Sequence, residues 1–109
     1  MTKLQPGDVV AVDFPGATGM KRRPAVVLSN RAYHAERPDV VLGILTTNVA
    51  AATSPFDYLL QDWREAGLNA PSAFRVYLGM ASPSAIRKIG HVSNRDWDQI
   101  RDCVRRALA

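Results

Sequence analysis

Lys21-Arg22-Arg23-Pro24-Ala25-Val26-Val27-Leu28-Ser29 sets a basic cluster against a proline at the mouth of a short apolar run. The run Ala25 to Leu28 reads as a strand to be buried, because a continuous apolar stretch has no side to give to water. Pro24 restricts Arg23 to an extended backbone, so that guanidinium starts from a fixed place. A fixed fork of N–H donors suits carboxylates and phosphates. Just upstream, Gly7-Asp8-Val9-Val10-Ala11-Val12-Asp13-Phe14-Pro15-Gly16 reads as a first strand feeding a glycine-containing loop. Strand, loop, basic cluster, proline and strand is the order expected of an antiparallel β protein.

The spacing predicts strands over Asp8–Phe14, Arg23–Ser29, Val40–Thr47, Phe56–Leu60, Ala73–Leu78 and Arg87–Val92. Ala17 to Lys21 is expected as a loop. Val40–Thr47 is nearly all apolar and so is expected at the sheet centre. Asn30 to Pro38 is polar and reads as a connection, with a helical turn at Arg31-Ala32-Tyr33-His34. Gln61 to Ala66 suggests one or two helical turns stopped by Gly67. Ser93 is a natural N-cap with Asp96 three residues on. Trp97, Ile100, Val104 and Leu108 then recur at helical spacing, widened by Cys103 and Ala107. Asn94–Leu108 is therefore predicted as an amphipathic helix packed on the sheet. Short strands with one terminal helix imply a small, mostly antiparallel, partly closed barrel.

The 109 residues point to one domain, and a hydrophobic content of 47% is enough for a core. The net charge is +4, which suits a polyanionic partner, although an ordinary surface reaches it as well. The basic residues are eleven Arg and three Lys, and Arg is the better bidentate phosphate ligand. The single Cys103 makes no internal disulfide, and with His34 and His91 it cannot complete a standard structural zinc site. A reducing cytoplasm fits. Met1 to Pro6 is too short and polar for a signal peptide, and no apolar run approaches the roughly 18–20 residues of a membrane span. Glycine-rich nucleotide loops and a nucleophile elbow are missing. Asp8 and Asp13, five apart on one strand, point to opposite faces.

Three segments remain as candidate chemistry. They are Lys21-Arg22-Arg23; Leu45-Thr46-Thr47-Asn48, where two hydroxyls and an amide end an apolar strand; and Arg87-Lys88-Ile89-Gly90-His91. Each also has a plain reading: a solvated loop, ordinary strand termination, and a charged edge strand.

Read together, these segments resemble the MazF/PemK family of toxins from bacterial toxin–antitoxin systems, in its PemK-like branch. The motifs are Gly7-Asp8-Val9-Val10, Arg22-Arg23-Pro24-Ala25-Val26-Val27-Leu28-Ser29, Ile44-Leu45-Thr46-Thr47-Asn48, Leu68-Asn69-Ala70-Pro71-Ser72 and Arg87-Lys88-Ile89-Gly90-His91-Val92-Ser93. They run in order from Gln5 to Leu108, so residues 1–109 are expected to be a single toxin domain. The resemblance implies an SH3-like or CcdB-like barrel, a homodimer, and sequence-specific, metal-independent cleavage of single-stranded RNA without a cofactor. It also implies a cognate antitoxin whose acidic or apolar C-terminal segment covers the groove. Carried over by position, the catalytic residues are Arg23 and Thr46. Lys21, Arg22, Thr47 and Asn48 are placed to bind RNA. Thr47 is a close rival to Thr46, since one residue of slip changes its face. His91 is a possible acid. The chain departs from the family in its short loop before Arg22 and in Leu78 to Ala85, which lacks the usual Thr-x-Asp-like sequence. Two other readings compete: a non-catalytic, CcdB-like gyrase poison and an SH3-like nucleic-acid-binding module.

Overall fold

A computed structural model describes residues 3–16 and 19–109. Six strands run in the order β1 (Asp8–Gly16), β2 (Gly19–Val27), β3 (Val40–Thr46), β4 (Tyr58–Leu59), β5 (Ala73–Ala81) and β6 (Ile86–His91). The helices are α1 (Arg31–Glu36) and α2 (Asn94–Ala107), with short 3₁₀ turns at Val49–Ala51 and Pro83–Ala85. All strand pairs are antiparallel, in the spatial order β4-β5-β3-β2-β1-β6. β3 is central, as its unbroken apolar run requires.

Two apolar clusters explain why the strands read as continuous rather than alternating. On one face Val9, Val26, Leu45 and Phe74 pack beneath Ile100 and Cys103 of α2. On the other, Val10, Val12, Ala25, Val27, Val40 and Leu42 pack together. Phe74 is fully buried, and truncating such a side chain to Ala typically costs about 3–5 kcal/mol.

β4 and β6 are the two edges of the sheet. The segment after β4 lies against β6: a Cβ on Gly90 would run into the carbonyl of Ala66, so only glycine permits that approach. This contact makes the sheet barrel-like without joining its edges by a strand ladder.

β4 keeps only Tyr58–Leu59 of the expected Phe56–Leu60, and the elements depart from expectation chiefly in three further places. The first two strands extend to Gly16 and from Gly19, pairing Phe14 with Lys21 and Gly16 with Gly19. Lys21, Arg22 and Arg23 therefore all sit on a hairpin arm, Lys21 included, where a loop over Ala17 to Lys21 is the expectation; Ala17 and Thr18 lie outside the described residues. β5 runs on to Ala81 because β3 pairs with it as far as Val40 opposite Ala81. Gln61–Ala66 forms turns instead of a helix, because the Asp96 carboxylate accepts the Gln61 and Asp62 N–H groups at 3.0 and 2.8 Å. Gly67 ends these turns at φ 91°, a conformation that favours glycine.

Candidate functional site

Register decides how the candidate residues meet. Arg23 pairs with Val12 on β1. Toward β3, Ala25 stands opposite Ile44 and Val27 opposite Leu42. The Leu28 N–H donates to the Val41 carbonyl at 2.9 Å. By alternation, Val26 and Pro24 are the next β2 residues whose nitrogens face β3. Pro24 has no hydrogen to donate, and the assigned ladder stops at Ala25. Arg23 and Thr46 are the residues two beyond the last assigned pair, Ala25 and Ile44, on their respective strands.

Alternation also sorts the neighbours. Arg23 shares a face with Ala25 and Val27, and Thr46 shares that face through Ile44 and Leu42. Lys21 lies on the same side as Arg23 and is exposed. Arg22 projects to the opposite side, 3.5 Å from Asp13 directly across the hairpin, so part of its charge is answered. Arg23 is half-buried and has no ion-pair or hydrogen-bond partner for its guanidinium among the described residues. A fork of five donors held in that way is available to an anion.

Thr46 Oγ accepts the Asn48 N–H at 3.1 Å. That contact holds the hydroxyl in place and leaves its hydrogen to donate. Thr47 is exposed just past the strand end. Asn48 stands at the N-cap of the Val49–Ala51 turn without a side-chain cap bond. Its amide is therefore not committed to the turn. The structure thus brings Lys21, Arg23, Thr46 and Asn48 to one end of the sheet.

His91 is elsewhere. Its Nδ1 lies 2.8 Å from Asp8 Oδ1, and Lys88 Nζ lies 3.3 Å from the same oxygen. Asp8 is fully buried and also accepts the Gln5 N–H at 2.9 Å. On β1, Asp8 is four residues from Val12, the partner of Arg23. At ~3.3 Å per residue that is roughly 13 Å. His91 belongs to this carboxylate cluster rather than to the Arg23–Thr46 end.

Two further polar constellations escaped the sequence reading. Asp96 is fully buried and accepts the Tyr58 hydroxyl at 2.5 Å besides the two backbone N–H groups. Burial first, then the bond to Asp96 and its charge, push the Tyr58 phenol up to about 12. The second is the pair Ser29 and His34, with Oγ and Nε2 2.6 Å apart. No local pattern marks the Asp96 group, because its partners lie 34 to 38 residues away; Ser29 and His34 are only five residues apart. Among the described residues, no cluster of three or more His, Cys, Asp or Glu is arranged to hold a metal ion. No helix among them is long and apolar enough to cross a membrane.

A curled antiparallel sheet with a terminal helix and an anion-ready arginine at one end defines a small, barrel-like, basic protein. Residues 5–108 match the model of the PemK-like, MazF-like toxins of type II toxin–antitoxin systems, and the chain belongs to that family. No curated protein sequence matches it. Among solved structures it is similar to an endoribonuclease from a mycobacterial species in complex with its cognate antitoxin: TM-score 0.78, 20% identity, covering 98% of this chain and 95% of that one. It is similar also to the MazE–MazF complex of Deinococcus radiodurans, with TM-score 0.73, 18% identity and coverage of 100% and 98%. MazF alone from the same organism gives 0.77, 19%, 99% and 98%. These likenesses establish a MazF-type fold.

Proposed function

We propose that this chain is a sequence-specific, metal-independent endoribonuclease that cleaves single-stranded RNA, mRNA included, and acts as a growth-arresting toxin. The observation that carries the reading is the half-buried Arg23, without a guanidinium partner among the described residues, on the sheet face that it shares with Thr46. In the proposed reaction a ribose 2′-hydroxyl attacks the adjacent phosphorus. The 2′-O–P bond forms, the P–O5′ bond breaks, and the ends are a 2′,3′-cyclic phosphate and a 5′-hydroxyl. The 2′ proton leaves to solvent and the 5′ oxygen takes up another. The nucleophile belongs to the RNA, so the protein has to align it and stabilise charge on the phosphoryl oxygens. Arg23 supplies the fork of donors and Thr46 one more hydrogen bond. Lys21, Arg22, Thr47 and Asn48 bind the flanking backbone and bases. A cognate antitoxin covers this end, two copies of the chain associate, and residues 1–109 act as one domain in the cytoplasm. Family membership and the antitoxin-bound relatives support that setting.

The experiment is to incubate the purified protein with single-stranded RNA in EDTA and map the new ends. Cyclic-phosphate ends are expected, and Arg23→Ala should lower the rate by about 10²–10³ or more with the fold retained. Equal cleavage by that variant overturns the assignment. Cleavage that needs added magnesium overturns the metal-independent mechanism. Salt-sensitive binding without new ends would favour a binding module, and gyrase inhibition without RNA cleavage a gyrase poison.

A further inference from the structure

The arginines of this protein divide into answered and unanswered ones. Arg95, Arg101, Arg105 and Arg106 each lie against an aspartate. Arg31 and Arg37 have no ion pair and no side-chain hydrogen bond among the described residues, and both line a cavity of about 380 Å³. Lys3 lines it as well, and Asp39 is its one carboxylate. The floor is apolar, with Leu4 and the buried Val40. Val40 opens β3 and Thr46 closes it, so the cavity stands roughly 20 Å along the strand from the Arg23–Thr46 end.

The cavity also has a fixed aromatic wall. His34 lines it, and Ser29 Oγ holds His34 Nε2 at 2.6 Å. Ser29 is buried and in turn accepts the Val41 N–H at 2.9 Å, which ties the ring to β3. A ring anchored in this way is oriented before any ligand arrives. The volume falls within the roughly 300–1,000 Å³ of small-molecule sites, which combine apolar walls with a few placed polar groups. Three cations against one carboxylate ask for a dianion. An apolar floor beside a flat ring asks for a flat, weakly polar body attached to it. A bare anion would leave that floor unused.

We infer that this cavity binds a nucleoside monophosphate group, with its phosphate on Arg31 and Arg37 and its base on the floor beside His34. The group comes either from a free nucleotide or from the 5′-phosphorylated end of an RNA strand. The inference does not depend on the proposed cleavage, since it concerns a different end of the sheet and is read as binding.

Calorimetric titration with adenosine 5′-monophosphate at low salt tests it. The parent should bind one equivalent. The double variant Arg31→Ala/Arg37→Ala should bind about tenfold more weakly or worse, as loss of charge-assisted contacts implies. Ala35→Trp, which fills the exposed rim of the cavity without touching the core, should weaken binding similarly while the melting temperature stays put. Arg23→Ala should bind as the parent does. A parent that does not bind at millimolar nucleotide overturns the inference. So do unchanged affinities in both cavity variants, loss of binding in Arg23→Ala, or inorganic phosphate binding as tightly as the nucleotide. A 5′-phosphorylated, 2′-O-methylated pentanucleotide separates the sources. If the double variant weakens it too, the cavity takes a strand end. If only the mononucleotide is affected, the ligand is the free nucleotide. Either result supports the inference.

Discussion

Thr46 and Thr47 are neighbours with the same side chain and different surroundings. Thr46 lies on the face shared with Arg23, and its oxygen is held by the Asn48 N–H. Thr47 is exposed beyond the strand. Under the proposed chemistry, Thr46→Val keeps the strand and removes the donor, so the single-turnover cleavage rate should fall by about 10²-fold. Thr47→Val should leave it within about threefold, as expected where no preorganised donor is lost. The opposite order of effects would reassign the threonine. Arg23→Lys belongs to the same test: an ammonium keeps the charge but not the planar fork, and should not restore the rate.

The β2 element owes its length to β1 and its limit on the other side to Pro24. Pairing with β1 continues to Gly19, whereas pairing with β3 is assigned only as far as Ala25. Pro24→Ala supplies the missing N–H and lets the β2–β3 ladder advance toward Arg23 and Thr46. The variant should stay folded, and cleavage should drop roughly tenfold because the two side chains lose their spacing. Parent-like cleavage by that variant would show that the ladder break does not matter to the site. α2 is held by a different device. Its cap is the one read from sequence, with Ser93 Oγ accepting the Asp96 N–H at 3.3 Å. Asp96 itself turns away from a capping box and satisfies three donors of the β4 region. Asp96→Ala would take the acceptor from those three half-buried to exposed donors and leave a void at the fully buried Asp96 position. A loss of about 2–4 kcal/mol is expected, read from the urea unfolding midpoint.

At the scale of the whole molecule, closure of the barrel rests on the segment between β4 and β5. It touches β6 at Gly90 and α2 through Asp62, whose carboxylate meets Arg95 Nη2 at 2.7 Å and the Ser93 hydroxyl at 2.6 Å. The Arg95 contact first, then Ser93, lower the Asp62 carboxyl from 3.8 to about 2. A carboxyl whose folded value is depressed adds stability above its unfolded value and loses it as the pH falls through the folded one. Asp62 should therefore contribute fully above pH ~4 and progressively less toward pH ~2. In Asp62→Asn the melting temperature should be lower at neutral pH and flatter across that acid window. An unchanged acid slope would mean that other carboxylates carry the transition.

Much of the architecture was legible along the chain. Valine-rich runs bounded by Pro, Gly and Asn located β1, β2 and β3, shorter apolar runs located β5 and β6 and two residues of β4, and the Ser93 cap with the Trp97–Ile100–Val104 stripe located α2. These signals are local, because propensity, caps and apolar periodicity act over a few residues. The motif order from Gln5 to Leu108 also carried the family. Other features needed the tertiary structure. The pairing register put Thr46 rather than Thr47 on the face of Arg23, and the lack of an N–H at Pro24 became a ladder break only once the parity of β2 was known. Asp8 with His91, Asp96 with Tyr58, and the cavity between Arg31, Arg37 and the N-terminal segment join residues far apart in sequence. Their partners are chosen by which strands and faces meet, and no short-range pattern encodes that choice.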